Sequence, residues 1–186
     1  MAPARKKSKT AVGAPAGHDS TGRQFASRED LWAAEAGDDA AREAWYAKGL
    51  EYWEKLPASV DTVLGGYASV SPRDCEQSDA FLRASVPALC AVPRPRLRAA
   101  ELGAGVGRVT KGLLLRHFAA IDVVEPVKHY LAAAEADIGT APAEGQAVRF
   151  VCEPLQTWSP EKATFDVIWV QARGVEVNFK YLLCWT

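Results

Sequence analysis

The stretch Glu101-Leu102-Gly103-Ala104-Gly105-Val106-Gly107-Arg108 decides the fold. It follows a short apolar run at 97–102 and opens a helix-period segment at 107–118. A strand that runs into three alternating glycines can turn sharply, with no Cβ to block a close approach. The helix that starts there adds unpaired N–H groups and a partial positive charge. Such a turn favours an anionic group, a carboxylate as much as a phosphate. An ordinary strand-to-helix turn is the plain alternative.

Reading outward toward the C-terminus, strands are expected at 121–125, 148–152 and 165–171, with a helix at 127–138. Strand, helix, strand, helix argues for a parallel sheet with right-handed crossovers. Glu125 ends the second strand, about 20 residues beyond the loop, where an acid can accept hydrogen bonds from both ribose hydroxyls of an adenosyl group. Its plain alternative is a surface charge at a strand end. Leu155 and Gln156 lie just past the third strand, where an adenine ring would rest. Gln171 closes the fourth strand, at the carboxyl edge where open parallel sheets bind ligands.

A nicotinamide-dependent oxidoreductase is the weaker reading. The dinucleotide fingerprint wants its third glycine where this chain has Arg108. A carboxylate at Glu125 also disfavours a ribose 2′-phosphate.

Toward the N-terminus, residues 1–27 are poor in bulky apolar side chains and read as a disordered basic tail. Arg5, Lys6, Lys7 and Lys9 read as a nuclear localisation cluster, as a solvated tail, or as part of an organellar transit peptide, since the first acid is Asp19. Localisation is therefore expected to be cytoplasmic, nuclear or both, with the organellar alternative open. Residues 28–92 form a helical region. Asp38 or Asp39 caps a helix that Pro57 stops. Trp45, Gly49, Trp53 and Leu56 share one face of it, either as core packing or with Trp53 roofing a ligand pocket. Leu64-Gly65-Gly66-Tyr67 is a turn. Ser71 as cap, Pro72 and Asp74 open a second helix to about 89. Pro93 and Pro95 mark the joint to the sheet, which occupies 93–171.

Composition excludes several classes. With a formal net charge of -1, the whole chain is not an electrostatic binder of nucleic acid. No run of about 18 apolar residues suggests a membrane span. Cys75, Cys90, Cys152 and Cys184 are far apart and read as reduced thiols. His18, His117 and His129 share no ligand spacing, so no metal site is expected.

The glycine loop in its ExGxGxG form resembles the first motif of Rossmann-like methyltransferases. A more specific resemblance lies in Tyr52-Trp53-Glu54-Lys55-Leu56-Pro57, Val60-Asp61 and Leu64-Gly65-Gly66-Tyr67. Together with Gly103 to Lys111, Leu155-Gln156 and Phe165-Asp166-Val167-Ile168-Trp169-Val170-Gln171, these are similar to the alpha-N-terminal protein methyltransferase family over 45–171. The resemblance implies an α/β, Rossmann-like class I methyltransferase sheet, incomplete here, with N-terminal helices. It implies S-adenosyl-L-methionine as cofactor and protein N-termini of the Xaa-Pro-Lys/Arg type as substrates. Neither nucleic acid nor membrane is an expected partner, and oligomeric state stays open. By the same resemblance Gly103 and Arg108 contact the cofactor, with Arg108 reaching its carboxylate. Glu125, Pro126 and Val127 match the ribose stretch, Pro126 and Val127 being atypical there. Leu155 and Gln156 match the adenine side, Gln171 the methyl side, and Trp53 and Leu64 the cofactor and peptide cleft.

The resemblance stops after Gln171. Residues 172–186 form a divergent tail where the family continues with an aromatic residue and a Gly-His-Leu step. The histidine and carboxylates that the family places around the substrate amine find no counterpart, so the catalytic residue is unassigned. The expectation is a C-terminally truncated or divergent form, of reduced or absent activity. The alternative is a non-catalytic fragment that binds cofactor or a partner.

Overall fold

The structure, a computed structural model, describes residues 17–19, 21–91, 96–139, 142–174 and 177–183. Residues 1–16 with their basic cluster, Pro93, Pro95 and Cys184 lie outside the described residues. The chain divides into two units, Met1–Glu51 and Tyr52–Thr186.

The first unit holds a small antiparallel ladder, β1 (Gly17–His18) on β2 (Gln24–Phe25), then helix α1 (Arg28–Ala36) and most of α2 (Asp39–Glu54). The ladder lies within the stretch read from the sequence as a disordered tail. Asp19 makes the turn: its Oδ1 accepts hydrogen bonds from the backbone N–H groups of Thr21 and Arg23 at 2.9 and 3.0 Å. Aspartate side chains favour turns because they accept hydrogen bonds from backbone amides a few residues on. Ser27 caps α1 by accepting from Asp30 N, and Asp38 caps α2 by accepting from Ala41 N at 2.8 Å. The aromatic stripe on α2 is not core. None of its residues is buried, and Trp45 stays 41% exposed, edge-on to Trp32 and Tyr46.

The second unit is built on one sheet. Its strands are β3 (Arg98–Leu102), β4 (Ala120–Val124), β5 (Ala147–Val151), β6 (Val167–Gly174) and β7 (Val177–Leu183), in the order β5-β4-β3-β6-β7. The first four are mutually parallel. β7 pairs antiparallel with β6 from Ile168↔Leu183 to Gly174↔Val177. The sheet therefore has a fifth strand, where the sequence was read as four strands and a divergent tail, with pairing of residues 181–185 on the fourth strand as a speculation. From β3 the chain steps outward through β4 to β5, then returns to the other side of β3 as β6. That reversal is a topological switch point, and it opens a crevice at the carboxyl ends of β3 and β6.

Ahead of the sheet lie α3 (Val60–Val63) and α4 (Ser71–Ser85). Ser71 is not the cap it was expected to be. It is already helical, Val70 takes the cap position without a side-chain bond, and Pro72 sits in the first turn, where no N–H is needed. Between strands run α5 (Arg108–Gly112) and α6 (Lys128–Ile138). α5 is shorter than the helix expected to 118. It gives way to a single tight turn at Leu114–Arg116. One continuous core joins Leu82, Leu89, Leu113, Leu114 and Phe118 to the sheet face formed by Ala99, Ile121, Val123, Val167 and Trp169.

Gly107 is where loop and helix packing meet. It has φ +71, and an added Cβ would stand 2.5 Å from Ile138 Cδ1 and 3.0 Å from Ala134 Cβ, both on α6. Gly107→Ala is expected to destabilise the fold by about 2–4 kcal/mol, from left-handed backbone cost plus overpacking. A urea-unfolding midpoint unchanged from the parent would contradict this packing.

Candidate functional site

The loop after β3 takes its shape from three glycines in left-handed backbone: Gly103 at φ +64, Gly105 at +58 and Gly107 at +71. At Gly103 an added Cβ would meet nothing within 4 Å, so the backbone there faces open space. Gly105 is closer packed, with Val63 Cγ1 at 3.2 Å from its would-be Cβ.

Two buried carboxylates hold the loop. Glu125, 6% exposed at the end of β4, accepts Gly105 N–H on Oε2 at 2.7 Å and Val127 N–H on Oε1 at 2.9 Å. Burial pushes its carboxyl above the usual range, and the two backbone donors pull against that rise. Glu101, 3% exposed at the end of β3, accepts from Thr110 N at 2.8 Å and Thr110 Oγ1 at 2.5 Å. Full burial pushes Glu101 up to about 7, against these same hydrogen bonds. The loop is thus tied at its middle to β4 and across its ends to α5.

Arg108 opens α5, and its side chain is only 8% exposed. Its Nη1 donates to Asp74 Oδ2 on α4 at 2.8 Å. Gln171 Nε2 donates to that same oxygen at 2.6 Å, and Gln171 Oε1 accepts from Trp169 Nε1 at 3.0 Å. Arg108 and Gln171, 63 residues apart by their numbers, therefore converge at the carboxyl edge through a residue on neither of their elements.

The remaining expected residues fall into two groups. Trp53 is half-buried and stands edge-on to Tyr130 of α6 at 6.2 Å between ring centroids. Leu64 is buried at 3%, and Val127 at 2% beside Glu125. Pro126 is half-buried, its carbonyl facing Cys152 Sγ at 3.6 Å just past β5. Leu155 and Gln156 are exposed in the turn beyond β5, on the same edge of the sheet. A surface hollow of about 460 Å³, lined by Glu135, Gly139, Gln146 and Phe150 among others, receives none of these residues.

The sequence model of AdoMet dependent proline di-methyltransferases matches residues 41–175. The chain belongs to this family. Its N-terminal run and its glycine loop both fall inside the match. The chain is similar to alpha N-terminal protein methyltransferase 1 of Oryza sativa subsp. indica, 37% identical over 191 residues that cover 83% of this chain and 62% of the relative. It is also similar to N-terminal Xaa-Pro-Lys N-methyltransferase 1 of Rattus norvegicus, 37% identical over 135 residues that cover 68% and 56%. A SAM-dependent methyltransferase of Leishmania major matches in structure at a TM-score of 0.68 and 34% identity, over 88% of this chain and 63% of that one. The chain thus spans 56–63% of the length of these relatives.

Three residues that touch the glycine loop or the expected site residues escaped the sequence reading. Asp74 was taken as a helix-dipole residue, because no local pattern ties it to Arg108 34 positions away. Glu101 was read only as the first letter of the loop motif. Tyr130, a buried hydroxyl without a hydrogen-bond partner among the described residues, was hidden in the apolar face of α6. Among the described residues no group of three His, Cys, Asp or Glu side chains could hold a metal ion, and no helix is long and apolar enough to cross a membrane.

Glu101 gives a pH signature. Its folded value of about 7 lies above the ordinary 4.5, so the folded state holds an extra proton between the two. The stability it contributes is fully present below about pH 4.5 and is lost as pH rises through about 7. Glu101→Gln cannot ionise and keeps an acceptor for Thr110. From about pH 5 to about pH 8 the parent should lose up to roughly 3 kcal/mol relative to this variant in urea unfolding. Equal pH slopes for both proteins would contradict the buried carboxyl.

Proposed function

We propose that this chain binds S-adenosyl-L-methionine at the switch point and transfers its methyl group to the α-amine of proteins beginning Xaa-Pro-Lys or Xaa-Pro-Arg. The observation that carries the reading is the Glu125 carboxylate, buried and bound to the glycine loop at Gly105.

The residues present fit an adenosyl group. An ionised carboxylate has about four acceptor sites, and two backbone donors leave about two for a ribose diol. The open backbone at Gly103 gives the close approach that a Cβ would fill. Arg108 has five N–H donors, of which Asp74 engages Nη1, so the guanidinium can also meet a methionine carboxylate. Pro126 and Val127 would flank the ribose, Leu155 and Gln156 the adenine, and Gln171 the methyl side. Trp53 and Leu64 would line the cleft where cofactor and peptide meet.

The cofactor, when bound, supplies an electrophilic methyl on a sulfonium. The chain's task is alignment. An α-amine has a reference pKa of about 7.7–8.0, so roughly a tenth of it is neutral near pH 7. Holding that neutral amine in line with the methyl supplies most of the needed advantage. The Xaa-Pro-Lys substrate rests on the name of the rat relative. The basic cluster Arg5, Lys6, Lys7 and Lys9 supports a cytoplasmic or nuclear location, with an organellar transit peptide as the alternative.

Calorimetry of the full chain with S-adenosyl-L-methionine, followed by transfer of a labelled methyl to an Ala-Pro-Lys peptide, tests the proposal. Saturable binding and transfer to the peptide amine are expected. Binding without transfer would reduce the function to cofactor binding. No heat at millimolar cofactor would overturn the site itself.

A further inference from the structure

The geometry points to Asp74 as a positioning residue that sets the amino-acid end of the cofactor pocket, holding the Arg108 guanidinium and the Gln171 amide on one carboxylate oxygen. The inference rests on the cofactor reading above and adds to it a residue from outside the sheet.

Asp74 stands in the first turn of α4, with its side chain 13% exposed. Its Oδ2 accepts from Arg108 Nη1 at 2.8 Å and from Gln171 Nε2 at 2.6 Å. The orientation of the Gln171 amide follows from its partners. An indole N–H can only donate, so the atom facing Trp169 Nε1 is the amide oxygen; an ionised carboxylate can only accept, so the amide nitrogen faces Asp74. Trp169 is fully buried in the core, so the far end of this chain of bonds is fixed by packing. The order Trp169, Gln171, Asp74, Arg108 therefore runs from the core under β6 to the first residue of α5.

The consequence concerns direction rather than charge. Arginine is long and rich in rotamers, and a guanidinium recognises a carboxylate best through its planar fork. A fixed acceptor on one nitrogen restricts the plane in which the other donors are presented. Asp74 also places a negative charge near any ligand carboxylate, so charge alone would weaken that ligand. Position outweighs that repulsion: removing the Asp74 charge loosens the amino-acid end of the pocket and leaves the adenosyl end, held by Glu125 after β4, unaffected.

Two ligands separate the ends. S-adenosyl-L-methionine carries the carboxylate, whereas methylthioadenosine keeps the adenosyl part and lacks the amino-acid part. In calorimetry on the full chain, Asp74→Asn is expected to weaken S-adenosyl-L-methionine about tenfold while methylthioadenosine changes less than about twofold. Asp74→Glu keeps the charge but displaces it by one methylene, and it is expected to give the same selective loss. It decides the matter should the Asn variant melt without cooperativity. Equal weakening of both ligands would mean a merely structural role. Unchanged or tighter S-adenosyl-L-methionine binding would mean that repulsion prevails. Either result overturns the proposal while leaving the cofactor reading intact. A parent chain that binds neither ligand removes both.

Discussion

A carboxylate buried at the end of one strand, bonded to the glycine loop of the next, is the constraint on which this fold's site depends. Removing Glu125 from water is costly unless its charge is met by donors. The donors are backbone N–H groups of Gly105 and Val127. The first belongs to the loop after β3 and the second to the entry of α6. One side chain thus ties the loop leaving β3 to the turn leaving β4, beside the crevice at the ends of β3 and β6. Glu101 repeats the device one strand away, closing the loop onto α5 through Thr110.

The glycines are consequences of the same constraint. For Gly105 N–H to reach Glu125 the chain must turn through left-handed backbone, and it does so at three alternate positions. Each serves a different neighbour: Gly103 leaves open space, Gly105 admits Val63, and Gly107 admits α6. The switch in strand order then brings Gln171 on β6 to the same edge. Helix α4, early in the chain, fastens Arg108 and Gln171 together through Asp74.

The sheet was legible because its signals are local. Short apolar runs and a glycine turn mark β3, β4, β5 and β6, and the structure places their ends within a few residues of expectation. Glu125 was legible because its spacing from the loop is set by one strand–helix–strand unit. What escaped reading depends on contacts distant in sequence. α5 ends early where Gly112 lies against α4, a Cβ there meeting Cys75 Sγ at 2.8 Å, and nothing near Gly112 announces that neighbour. Strand β7 exists through its partner β6, and α1 and the hairpin at Asp19 through capping bonds rather than apolar period. The aromatic stripe on α2 has the spacing of a core face yet none of it is buried, because spacing says which residues share a face and not what covers it.

Backbone amide spectra of the isotope-labelled chain, titrated with S-adenosylhomocysteine, address the central claim most directly. The account predicts that the amides of Gly103, Gly105 and Val127 shift together with the side-chain amide of Gln171, while Gln146, at the opposite edge of the sheet, stays still. Saturating ligand that leaves the loop amides unmoved, or shifts centred on the opposite edge, would contradict it.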